Sequence, residues 1–143
     1  MNTSSLPSIA LVAHADRVTT AFGQFNLHDA ELCGVRLTIG RGAVPLLEAD
    51  FVVPGALALP DGNADRTRDY RITLRFTDVA DLALADFADQ NLVAEYAFEP
   101  LGADAPDERA VHVSVTASPG CDFDLRCRTV AVVAVEPVRG SDV

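Results

Sequence analysis

Arg71-Ile72-Thr73-Leu74-Arg75-Phe76 alternates polar and apolar side chains without a break. A β-strand turns successive side chains to opposite faces, so this segment has one face for a core and one for water. The same period recurs on both sides of it. Val35, Leu37 and Ile39 alternate with Arg36 and Thr38; Leu47, Ala49, Phe51 and Val53 alternate with Glu48, Asp50 and Val52. Downstream, Leu92, Ala94, Tyr96 and Phe98 alternate with Val93, Glu95, Ala97 and Glu99, and Val111, Val113 and Val115 with His112, Ser114 and Thr116. Strands with one apolar and one polar face belong to antiparallel sheets covered on one side.

Further strands are expected at Asp81 to Phe87, with Leu82 and Leu84 on one face, and at Cys121 to Arg126 and Thr129 to Glu136. The last two read as one long bent strand or as two, ending at Pro137. Gly40-Arg41-Gly42, the polar run from Pro60 to Asp65, Gly102 to Pro106, and Pro119-Gly120 punctuate the pattern as turns and loops. The expected fold is mainly β: one domain of seven to eight mostly antiparallel, meandering strands, barrel-like or a sandwich. Periodicity does not choose between those two. Ile9 to Ala13 reads as strand or helix. Val18, Ala21 and Phe22 have helical spacing, which predicts one short N-terminal helix over Ala15 to Phe22, capped by Asp16 and stopped at Gly23. The domain is expected to span residues 9–137, between flexible ends at 1–8 and 138–143.

A chain of 143 residues with 49% hydrophobic content can bury a core without disulfides or metals. Its formal net charge is −10, from 11 basic and 21 acidic residues. Every basic residue is arginine, the ordinary result of a GC-rich coding bias. The cationic footprint of a nucleic-acid binder is missing, and an anionic membrane would repel the chain. Ala13-His14-Ala15 resembles a signal-peptidase site, but the apolar run before it is short and no basic residue precedes it. Val130 to Val135 is about a third of the roughly 20 residues a membrane helix needs. Three cysteines, Cys33, Cys121 and Cys127, fit neither a disulfide framework nor a zinc knuckle. Reduced thiols and a cytoplasmic location are expected.

Enzyme signatures are missing: there is no nucleophile elbow and no P-loop. Asp61, Asn63 and Asp65 imitate the start of a calcium loop, but Arg66 stands where glycine belongs and Ile72 where a bidentate glutamate belongs. No cofactor and no metal site is expected. His28 and Asp29 are adjacent, and neighbours on an extended chain face opposite ways, so they read as a turn rather than a dyad. An enzyme assembled from His28, Asp29 and His112 would need a cleft joining them.

Gly23 through Leu32, with its core Leu27-His28-Asp29-Ala30-Glu31-Leu32, resembles the start of the immunity protein 50 family of bacterial polymorphic toxin systems. Matching stretches follow in order. They are Arg71 to Phe76 running into Asp78-Val79-Ala80-Asp81-Leu82, then Gln90-Asn91, then Gly120-Cys121, then Arg126-Cys127-Arg128-Thr129-Val130, and finally Val135-Glu136-Pro137. The likeness runs from about Phe22 to Pro137. It implies a mainly β protein that neutralises a toxin made by the same cell. It carries over no catalytic residues, and its motif positions Leu27, His28, Asp29 and Glu31 read as structural.

Between Arg75 and Arg109 there is no basic residue, while nine acids occur: Asp78, Asp81, Asp86, Asp89, Glu95, Glu99, Asp104, Asp107 and Glu108. Such a run keeps an apolar chain soluble. It also suits a basic partner, such as a nuclease toxin domain, because opposite charge speeds encounter. Asp78, Asp81, Asp86, Asp89, Glu95 and Glu99 are therefore the candidate partner-facing residues, with Glu95 and Glu99 outward on one strand. The alternative is a small lipocalin-like barrel carrying an apolar ligand. A packed interior argues for the binder and a continuous cavity for the carrier.

Overall fold

The computed structural model describes residues 11–22, 27–40, 42, 44–53, 57–58, 64–65, 69–86, 88–101 and 111–138. In chain order its elements are β1 (Val12–Ala13), α1 (Asp16–Phe22), β2 (Glu31–Thr38), β3 (Leu46–Val53), β4 (Leu57–Ala58), β5 (Ala64–Asp65), β6 (Asp69–Thr77), β7 (Ala80–Ala85), β8 (Val93–Pro100), β9 (Val111–Ala117), β10 (Asp122–Cys127) and β11 (Thr129–Val138). The protein is mainly β, as the alternation implies. One sheet has the order β1-β11-β6-β3-β2 and a second the order β7-β10-β9-β8; β4 and β5 form a two-stranded ribbon. Every pairing is antiparallel except β1 with β11.

The two sheets face each other across a core led by Phe51, Phe76, Phe98 and Phe123. Phe76 of β6 meets Phe123 of β10 edge to face at 6.1 Å, a favourable geometry for the ring quadrupoles. The sandwich is joined at one corner by the chain itself. β6 passes into β7 through Asp78 and Val79, and β10 passes into β11 through Arg128, so both strands switch sheets at a bend. The segment from Cys121 onward is thus two strands rather than one. The meander holds within β2-β3-β6 and within β8-β9-β10, and the corner breaks it between them.

Asp78 has φ of 59°, a left-handed value that aspartate tolerates. The Arg128 N–H donates to the Thr77 carbonyl at 2.8 Å, and its guanidinium donates to Asp78 Oδ2 at 3.1 Å. On another side the described backbone bonds between the sheets lie where β2 and β8 begin. Asp29 N–H donates to Val93 O at 2.8 Å, Val93 N–H to Ala30 O at 2.9 Å, and Leu32 N–H to Asn91 O at 2.8 Å. Beyond these bonds β2 runs on without a neighbour on its outer side among the described residues.

Helix α1 matches expectation to within a residue, but Asp16 lies in its first turn instead of capping it. The Ala15 carbonyl already accepts the Thr19 N–H at 3.1 Å. The helix stop at Gly23 lies outside the described residues, as do residues 1–8, 61–63 and 139–143. Val138, expected at the start of a flexible end, instead closes β11 and is buried. In β8 a bulge between Val93 and Glu95 re-phases the alternation, so Val93 points into the core in place of Leu92.

Candidate docking surface

The outward side chains of the two sheets differ sharply in charge. On the first sheet Arg36 and Arg75 are matched with Glu48 and Asp50. Glu48 and Asp50 of β3 lie between Arg36 of β2 and Thr73 and Arg75 of β6 in register. Arg36 Nη1 donates to Asp50 Oδ2 at 2.6 Å and Nη2 to Glu48 Oε1 at 3.4 Å; Arg75 Nε donates to Glu48 Oε2 at 2.9 Å. The Thr73 hydroxyl completes the ladder, donating to Asp50 Oδ1 at 2.7 Å. Burial works to raise the Asp50 pKa, but the bonds from Arg36 and Thr73 outweigh it and hold the carboxyl below its ordinary value.

The second sheet presents the opposite balance. Asp81 of β7, Asp124 of β10, and Glu95 and Glu99 of β8 are all exposed on its outer side. Among the described residues Arg126 is the one arginine of that face, and its Nε already donates to Asp81 Oδ2 at 2.6 Å. His112 of β9 lies between two of the acids, with Nδ1 3.4 Å from Glu99 Oε1 and Nε2 2.8 Å from Asp124 Oδ2. The register sets Ala83, Asp124, Ser114 and Ala97 in one row across the four strands. Small side chains along that row leave a low face with carboxylates standing on it. Such a surface can attract and seat a cationic surface.

The six candidate acids separate on inspection. Glu95 and Glu99 share the outer face, as their spacing predicts. Asp81 joins them, half neutralised by Arg126. Asp86 and Asp89 are exposed beyond the end of β7. Asp78 does not belong to the surface: it is 8% exposed and accepts the Arg128 bond at the corner. Moreover, Asp78, Asp81 and Asp86 have φ of 59°, 55° and 66°, and Asp29 has 67°. Aspartate is among the few residues that adopt this backbone readily, so their identity has a local cause independent of any partner. Asp104, Asp107 and Glu108 lie outside the described residues.

Leu27 is fully buried and Glu31 half buried at the start of β2, while His28 and Asp29 occupy an exposed turn. Their expected separation does not occur. The chain is left-handed at Asp29, not extended, and His28 Nδ1 sits 3.2 Å from Asp29 Oδ2. His112 is far from them: Asp29 bonds to Val93 at one end of β8 and His112 faces Glu99 near the other, about 20 Å away at strand rise.

Asp124 and His112 are the surface residues that the charge count passed over. The signal was present, since Asp122-Phe123-Asp124-Leu125 puts two acids on the polar face of a strand. All three cysteines are free, with Cys121 and Cys127 buried and Cys33 exposed. Burial pushes the Cys127 thiol up to about 12, so it stays protonated. No group of three or more potential metal-ligating side chains converges among the described residues, and no described helix is long and apolar enough to cross a membrane. Comparisons with family models, with curated proteins and with solved structures find no match to this chain.

Proposed function

We propose that the protein is a non-catalytic immunity protein that binds and neutralises a basic bacterial toxin domain in the cytoplasm. The observation that carries this reading is the unbalanced outer face of the second sheet. Glu95, Glu99 and Asp124 stand there without a described arginine, whereas Glu48 and Asp50 of the first sheet are matched. An inhibitor of this kind needs a preorganised surface and no active site. His112 supplies some of that order by joining Glu99 and Asp124 across β9. Complementary charge then sets the encounter rate and close packing on the small-residue row sets the lifetime.

The resemblance of Leu27 to Leu32 and of the later stretches to immunity protein 50 supports the same reading. Those residues lie mostly in the frame of the fold and leave the outer face free for partner-specific acids. Phe51, Phe76, Phe98 and Phe123 are almost completely buried between the sheets, which supports a binder over a lipocalin-like carrier. Co-expression with a candidate basic toxin domain, should the neighbouring reading frame encode one, tests the proposal. Growth should be restored and the two proteins should co-purify. Toxicity unchanged by co-expression, with no complex formed, would contradict it.

A further inference from the structure

Outside the acidic face, a cleft of about 340 Å³ opens between β2 and β7. It is lined chiefly by Leu32, Val35, Leu37, Leu82, Leu84 and the thiol-bearing Cys33. Its cause is a gap in the sheets. Leu37 is in register with Leu47, which is completely buried, yet Leu37 is 44% exposed. Leu84 is in register with Phe123, which is 2% exposed, yet Leu84 is 38% exposed. Both leucines point to the core side, and no described residue covers them there.

The two strands beside this gap are also sheet edges. β7 is an outer strand of the second sheet, and β2 is an outer strand of the first, with no partner on its outer side beyond Leu32 among the described residues. Edge strands are ordinarily guarded by charges, bulges, proline or brevity. β8 has the first three in Glu95, Glu99, the bulge after Val93, and Pro100, and β1 has only two residues. β7 slips in register against β10 between Ala80 and Ala83, but from Leu82 to Ala85 it carries no charge, and its Asp81 is tied to Arg126. β2 has a bulge between Leu32 and Gly34, but past it the single charge is Arg36, which is turned to the outer face and bonded to Asp50.

We infer that this gap receives an extended, basic segment of a partner protein, which adds as a strand between β2 and β7. Backbone bonds to the free edges would hold it, with alternate apolar side chains filling the cleft over Leu37 and Leu84. The charge of the rim selects a cationic segment. Asp86 and Asp89 are exposed past the end of β7, and Asp86 follows Ala85, which is in register with Asp122, the chain neighbour of the cleft residue Cys121. Strand addition is separate from the acidic face and does not require the partner to be a toxin.

The probe is a capped peptide of alternating arginine and valine, long enough to span the six residues of β7. Its twin is N-methylated at every second amide, which removes strand bonding and keeps the charge. Backbone amide shifts and the modification rate of Cys33 by a thiol reagent are followed on the full chain. The peptide should shift amides of residues 33–38 and 80–85 and slow Cys33 modification about tenfold at saturation. The N-methylated twin should do neither, and Leu37→Arg or Leu84→Arg should abolish both effects. Triple reversal of Glu95, Glu99 and Asp124 to lysine should leave the shifts in place. Equal binding of the twin, shifts confined to the outer acidic face, or no binding at millimolar peptide would overturn the inference. So would a cleft that binds a small apolar dye but not the peptide.

Discussion

Gly120 packs against Asn91 so closely that a Cβ on the glycine would lie 2.5 Å from the Asn91 Cα. Asn91 Oδ1 accepts the Cys121 N–H at 2.7 Å and the Ala88 N–H at 3.2 Å, and its Nδ2 donates to the Ala88 carbonyl at 2.9 Å. One amide therefore ties the β9–β10 turn to the chain entering β8. Gly120 also has φ of 123°, a backbone that side chains rarely adopt. Asn91 and Gly120-Cys121, far apart in sequence, meet here as a structural joint.

Gly120→Ala is expected to destabilise the fold by about 2–4 kcal/mol, because strain and a backbone clash act together. Asn91→Ala should cost about 1–3 kcal/mol by leaving the Cys121 N–H without its acceptor. Urea unfolding of each variant measures both. A Gly120→Ala variant as stable as the parent would show that the turn moves freely, against the joint described.

Asp86 has φ of 66°. If its backbone explains its identity, Asp86→Ala should cost about 1 kcal/mol or more, while Asp86→Asn and Asp86→Gly stay close to the parent. Equal stability of the alanine and asparagine variants would remove the conformational argument and return Asp86 to the set of acids chosen for charge.

Asp50 links pH to stability. Burial opposes ionisation, but the Arg36 and Thr73 bonds prevail and set its folded pKa below the ordinary 3.8. A depressed folded pKa contributes stability above the unfolded value and loses it as pH falls through the folded one. The urea midpoints of the parent and of Asp50→Asn should therefore differ most near neutral pH and converge from about pH 4 downward. A gap that stays constant into acid would show that the Arg36–Asp50–Thr73 bonds do not set this limb.

The strands were legible because each period-two segment has a covered face, and covering one face is a local demand on sequence. Arg71 to Phe76 became β6 for this reason, and Leu82 and Leu84 fell on one side of β7. The corner was not legible. Asp78 looks like a surface acid in the sequence, and only the switch of β6 and β10 between sheets puts Arg128 beside it. Glu95 and Glu99 could be placed outward by spacing alone, but Asp124 joins them only through the order β10-β9-β8, a long-range property. The cleft is similarly invisible: Leu37 and Leu84 alternate like core residues, and whether anything covers them depends on strands distant in sequence.

The association rate of the purified protein with the basic toxin domain proposed as its partner, measured by stopped flow across ionic strength, tests the central claim most directly. Glu95→Lys, Glu99→Lys and Asp124→Lys together should slow association by about 10–100-fold at low salt and flatten its salt dependence. A triple variant that associates at the parent rate with the parent salt slope would contradict the claim that the outer face of the second sheet meets the partner.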